Sequence, residues 1–145
     1  MKFIKIKSYA KINISLNVIA KLNSNFHKIE SLVTFIKLHD LIYIRQIKAM
    51  NHKVQFSGKY SKHIFRNNTV SNLLKILDKN HFLKEKKFEI KIIKNIPQKS
   101  GMGGGSMNAA NIFKFFLKKN YFKIKKKEIK KVSNEISNDV ALGLE

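Results

Sequence analysis

The chain has 145 residues, 43% of them hydrophobic, which suits one folded domain with a real core rather than a disordered segment. Cysteine is absent, so a disulfide scaffold, a thiolate metal site and a thiol nucleophile are excluded, and a reducing cytoplasm fits. The net charge of +21 comes from lysines spread along the whole chain, with Arg45 and Arg66 the only arginines. Asparagine, isoleucine and phenylalanine are abundant too, so A+T-rich codon usage accounts for the excess and the lysines read as a solvated face.

The amino end, MKFIKIKSYAKINISLNV, alternates charged and apolar residues and never reaches the continuous apolar run of a signal peptide or spanning helix; we expect a soluble protein. Residues 3–7 and 10–19 read as strands. In the second, Ala10, Ile12, Ile14, Leu16 and Val18 form one side, and Lys11, Asn13, Ser15 and Asn17 the other. Residues 21–27 carry the Asn/Ser cluster of a turn. Further strands are expected at 29–37, 41–47 and 53–57, with His39 and Asp40 between the first two. Asn67, Asn68 and Thr69 offer helix-capping chemistry ahead of Val70, Leu73, Leu74 and Leu77 at helical spacing. A strand follows at 87–94, then the single proline, Pro97. Ala109, Ile112, Phe113, Phe116 and Leu117 form one helical stripe, and Ile129, Val132 and Ile136 another. The densest lysine run, from Lys118 to Lys127, lies between them and is where a polyanion would bind if one does. The order of elements predicts an α+β domain, a mixed sheet packed with helices.

Four of the six glycines fall between 101 and 105, in NIPQKSGMGGGSMNAAN just ahead of a helix. Such a loop lets backbone N–H groups converge on a phosphate, aided by the unpaired N–H groups and positive dipole end of the helix. The same glycines would also serve a tight strand-to-helix connection. The stretch is not a Walker A loop, since no Gly-Lys-Ser/Thr follows, nor the dinucleotide fingerprint, since Ser106 stands where its third glycine belongs. The companion motifs of a protein kinase are absent as well.

PQKSGMGGGSMNAA, from Pro97 to Ala110, resembles the second motif of the GHMP small-molecule kinases, Pro-x-x-x-Gly-Leu/Ile-Gly-x-Gly/Ser-Ser-x-Asn/Asp-Ala. Together with AKINISLNV and NFHKIESLVTFIKLHD, the triple glycine is most similar to the 4-diphosphocytidyl-2-C-methyl-D-erythritol kinase family within that group. In that family an Ala-Lys-Ile/Leu-Asn strand, a Gly-Tyr-His turn and an LxTLFxxLxLxD stretch occur in this order. The resemblance runs through essentially the whole chain, as one GHMP amino-terminal domain of residues 1–145, a lobe whose fold resembles a ribosomal-protein domain.

The resemblance implies transfer of phosphate from ATP, with Mg2+, to a hydroxyl of a cytidine-diphosphate-linked methylerythritol. It implies that Pro97, Gly101, Met102, Gly103, Gly104, Gly105 and Ser106 form the ATP-phosphate loop. ISNDVALGL is similar to the family's Gly-Ala-Asp-Val-Pro segment, making Asp139 the catalytic carboxylate, and Lys11 matches the active-site lysine. Asp139 would orient the attacking hydroxyl while Lys11 offsets charge on the phosphoryl oxygens. Without the family, Asp139 reads as a helix-end or surface acid and Lys11 as a solvated strand lysine. His27 matches the residue that recognises the cytosine edge, Phe26 stands where a stacking tyrosine is usual, and Asn13 carries over as a substrate-pocket residue. Asn68 and Lys94 match nucleotide-side positions, though a helix N-cap explains Asn68 equally well. Departures are Gln98-Lys99-Ser100, Met107 in place of a small residue, and Ala141 where proline is common.

Family chains continue well past the Asp-Val segment into a second lobe, whereas this one stops six residues after Asp139, in what is expected to be a strand. We therefore expect an amino-terminal portion with an open cleft and little turnover by itself. Alternatives are another GHMP kinase, of homoserine or mevalonate type, and a basic RNA-binding module.

Overall fold

The computed structural model describes residues 1–21 and 27–144. Two long strands, β1 (Ile4–Lys21) and β2 (His27–Ile47), form an antiparallel pair, followed by β3 (Lys53–Ser57), α1 (Thr69–Lys79) and β4 (Lys87–Ile93). Three helices complete the chain: α2 (Gly104–Lys118), α3 (Lys126–Ile136) and α4 (Asn138–Leu142). The sheet order is β1-β2-β4-β3, with β4 antiparallel to β2 and parallel to β3, so α1 is the crossover of a β-α-β unit. This is the expected α+β architecture with a mixed sheet.

The core follows from strand parity and helical stripes. Ile42 and Ile44 of β2 and Phe88, Ile90 and Ile92 of β4 point to one face and are fully buried. Against them pack Leu73 and Leu77 of α1 and Ile112, Phe113 and Phe116 of α2. Phe88 is the aromatic centre, its ring 4.7 Å from Phe116 and 4.9 Å from Tyr121. Across the β2–β4 register Arg45 Nε donates to Glu89 Oε2 at 2.7 Å, and that bond holds the Glu89 carboxyl below its ordinary range.

Three sequence expectations change. The strands expected at 3–7 and 10–19 are one strand, as are those at 29–37 and 41–47, because a ladder tolerates local register shifts without ending. The apolar side read at 10–19 is buried only at its start: Ala10 is in the core, but Ile14, Leu16 and Val18 are exposed, since the outer half of the β1–β2 pair runs past the helices as an arm. The segment around Asp139 is the short helix α4 rather than a strand. Phe26 and most of the expected turn lie outside the described residues.

Candidate active site

The glycine loop connects β4 to α2. Gly103 is the N-cap of α2 with φ of 62°, and Gly101 has φ of 73°, both left-handed conformations that glycine adopts without strain. No side chain caps α2, so its first N–H groups face the cavity in front of it. That cavity, about 340 Å³, is lined by Pro97 through Ser106 together with Asn68, Thr69, Lys94 and Asn108. It shares Phe56, Ile64 and Asn68 with a broader groove of about 990 Å³ between β3 and α1, which reaches His52 and Asp78.

Lys11 joins three parts of the site. Its backbone N–H donates to the Met102 carbonyl at 3.0 Å, and its Nζ donates to Asp139 Oδ1 at 3.1 Å. Simple alternation would put Lys11 on the outer face beside Tyr9. The register shift between Tyr9 and Lys11 turns it inward, so Ala10 and Lys11 are both buried. A Cβ on Gly103 would lie 3.6 Å from Lys11 Cε, so loop and lysine are in contact. Asp139 presents its carboxylate from the first turn of α4, held there by Gly143, which packs directly on α2. Ser106 Oγ lies 3.0 Å from Ser137 Oγ, linking the loop to the N-cap of α4.

Asn68 caps α1 and borders the cavity. Its Oδ1 accepts from the N–H of Val70 and Ser71, each at 3.1 Å. Lys94 is buried beside the loop, its Nζ paired with the fully buried Asp40. Thr69 Oγ1 donates to the Gly105 carbonyl at 2.9 Å, a tie between α1 and α2 that the sequence reading missed.

The substrate-side candidates stand apart. Asn13 is exposed on β1 two residues beyond Lys11, and Ser31 Oγ approaches its Oδ1 at 3.4 Å. His27 pairs with Lys21 at the far end of the arm, up to about 30 Å along the strand from Lys11 at the usual rise per residue. Neither lines the cavity.

In the neighbouring groove, His52 Nδ1 accepts from the Phe88 N–H at 3.1 Å, so a neutral ring carries its proton on Nε2, 3.2 Å from Asp78 Oδ2. Burial pushes the His52 pKa below its ordinary value, and attraction to Asp78 offsets part of that. For Asp78 burial acts upward, but the bond from Lys87, at 2.6 Å, and the nearby His52 ring outweigh it and hold the carboxyl below its ordinary range.

The GHMP kinases N terminal domain model matches residues 68–145. The 4-diphosphocytidyl-2-C-methyl-D-erythritol kinase of Pelagibacter ubique is 58% identical over 99% of this chain and 51% of its own length. The Clostridioides difficile protein of the same name is 40% identical over 77% of this chain and 37% of its own. The chain spans about half the length of the curated relatives it matches. Among solved structures, a 4-(cytidine 5'-diphospho)-2C-methyl-D-erythritol kinase superposes with a TM-score of 0.74 at 20% identity, covering 97% of this chain and 48% of that one. The homoserine kinase of Cytophaga hutchinsonii superposes with a TM-score of 0.63 at 16% identity, covering 99% and 43%; these two show the shared fold. A family model matching residues 68–145, more than half of the residues, places the chain in the GHMP kinase family.

Proposed function

We propose that this chain forms the nucleotide-binding and catalytic part of a 4-diphosphocytidyl-2-C-methyl-D-erythritol kinase, transferring the γ-phosphoryl group of ATP to a substrate hydroxyl. The observation that carries the reading is the position of Lys11, bound at once to the glycine loop and to Asp139. Asp139 orients the hydroxyl and takes its proton as the new P–O bond forms and the bond to the β-phosphate oxygen breaks. Lys11 and the uncapped N–H groups of α2 offset the charge gathering on the transferred group. The 58% identity to the Pelagibacter kinase supports the cytidine substrate.

Among the described residues no three His, Cys, Asp or Glu side chains cluster to hold a metal ion. Mg2+ takes few protein ligands and is bound largely through phosphate oxygens, so the site fits it with the hard oxygens of Ser106, Ser137 and Asp139 at hand. When bound, the ion would neutralise charge shared between the β- and γ-phosphates.

Titration with a fluorescent ATP analogue and Mg2+ tests the reading, since binding does not require turnover. A Cβ on Gly104 would lie 3.1 Å from Ile96 Cγ2 and 3.2 Å from Lys94 Nζ, so Gly104→Ala should weaken binding sharply. Absence of analogue binding by the unmodified chain refutes the proposal. RNA binding with a steep salt dependence and no response to Gly104→Ala would favour the basic-module reading instead. In a chain competent for turnover, ADP release on a panel of the cytidine substrate, homoserine and mevalonate separates the kinase types.

A further inference from the structure

Asp40 is a fully buried acid at the end of the core-facing row it shares with Ile42 and Ile44. Its Oδ1 accepts the backbone N–H of Asn95 at 2.7 Å and of Ile96 at 2.9 Å, the two residues that lead from β4 into the glycine loop. Its Oδ2 accepts Asn108 Nδ2, from the second turn of α2, at 2.9 Å, and also takes Lys94 Nζ. One carboxylate thus joins β2, the entry to the loop and the loop's helix. We propose that Asp40 is a positioning residue for phosphate binding, fixing the Lys94 ammonium beneath the first turn of α2 so that its remaining N–H groups face the triphosphate.

One observation directs the arrangement toward an anionic ligand. Lys94 lines the cavity, its Nζ lies 3.2 Å from where a Cβ on Gly104 would be, and Asp40 is its acceptor among the described residues. Asn108 is 1% exposed and lines the same cavity, and its Oδ1 is buried without a hydrogen-bond partner. That oxygen is an acceptor, as the phosphates are, so it carries no part of the phosphate reading. The chemistry also requires a carboxylate. All four groups facing Asp40 are donors, and an amide in its place would turn its own NH2 against one pair of them. Asp40→Asn therefore keeps the volume and one accepting oxygen but displaces Lys94 and Asn108, or else the loop entry.

This inference rests on the reading of the cavity as an ATP site, and the test separates the two. Titrations with ATP and with adenosine are run on the unmodified chain, Asp40→Asn, Lys94→Met and the double variant, with thermal unfolding beside each. Each single change should lower ATP affinity about tenfold, the worth of one charge-assisted hydrogen bond, while adenosine affinity moves less than about twofold. The double variant should lose no more than Lys94→Met, because Asp40 acts through Lys94. Equal weakening toward ATP and adenosine would reduce Asp40 to a fold residue, and unchanged or tighter ATP binding would overturn the proposal. Failure of the unmodified chain to bind ATP would remove the nucleotide reading and this inference with it. A second measurement needs no Asp40 variant. The Lys94 ammonium resonance of the unmodified chain, identified by its loss in Lys94→Met, should be visible without ligand and should shift with ATP but not with adenosine. No ATP-specific shift would refute the assignment even if Asp40→Asn does not fold.

Discussion

Gly143 gives the sharpest test of how Asp139 is placed. A Cβ built there would sit 2.7 Å from Ala110 Cβ and 2.9 Å from Met107 Cε, both on α2. Carbon atoms prefer a separation of roughly 3.5–4.0 Å, so Gly143→Ala must push α4 off α2 by most of an ångström or compress the core. Overpacking of this kind costs about 1–3 kcal/mol, which in a domain of this size lowers the melting temperature by roughly 3–10 °C. Asp139 lies one turn before Gly143, whose N–H donates to the Asp139 carbonyl at 3.1 Å, so the displacement moves the carboxylate away from Lys11 as well. The assays are thermal unfolding by circular dichroism and ATP-analogue titration on the same samples. Ala110→Gly removes the closest opposing atom, so the double variant should recover part of the loss despite the helix penalty of about 1 kcal/mol for the new glycine. An unchanged melting temperature in Gly143→Ala, or no recovery in the double variant, would refute the claim that this contact seats α4.

Other outcomes follow from the same geometry. His52 has a folded-state pKa below its ordinary 6.5, so the unfolded chain binds the proton more readily. Stability should be full above about pH 6.5 and decline as pH falls below it, and His52→Gln should flatten that decline in urea titrations. Asp78, also lowered, contributes stability above its ordinary 3.8 that is lost as pH falls further through its folded value. Asp78→Asn should therefore reduce the acid limb of the same profile. Asn68→Ala removes a cap that accepts two N–H groups and should cost about 1 kcal/mol, roughly 3 °C, whereas Asn68→Asp should keep most of it by thermal unfolding. Phe88→Ala empties the aromatic centre and should cost about 3–5 kcal/mol in urea unfolding.

The parts of the site legible in sequence were those that local chemistry dictates. Clustered glycines before an apolar helical stripe marked the loop, and Asn68 ahead of Val70 marked a cap, because each needs only neighbours within one turn. What alternation could not give was the inward turn of Lys11, which depends on a register shift set by both strands of the pair. Nor could it show that Ile14, Leu16 and Val18 are exposed, since strand parity identifies a face but not whether a helix covers it. Asp40 carried a signal that went unused: it holds the same parity as Ile42 and Ile44, and an acid in a core-facing row needs a buried set of donors. Asp139 was found through the family motif alone, and its helical setting depends on the close approach of Gly143 to α2.

The Lys11–Asp139 bond joins residues 128 positions apart, and Asp40 reaches Lys94 and Asn108 across 54 and 68. Contacts of such sequence separation form slowly, because loop-closure entropy is lost before they reward it. The β1–β2 pair and the individual helices can therefore appear in a refolding chain well before any nucleotide can be held. Nucleotide capture becomes a clock for the end of folding: in a stopped-flow experiment, ellipticity should recover ahead of ATP-analogue fluorescence. A chain still emerging from a ribosome would be blind to ATP until α2 is free to pack against the sheet and set the loop.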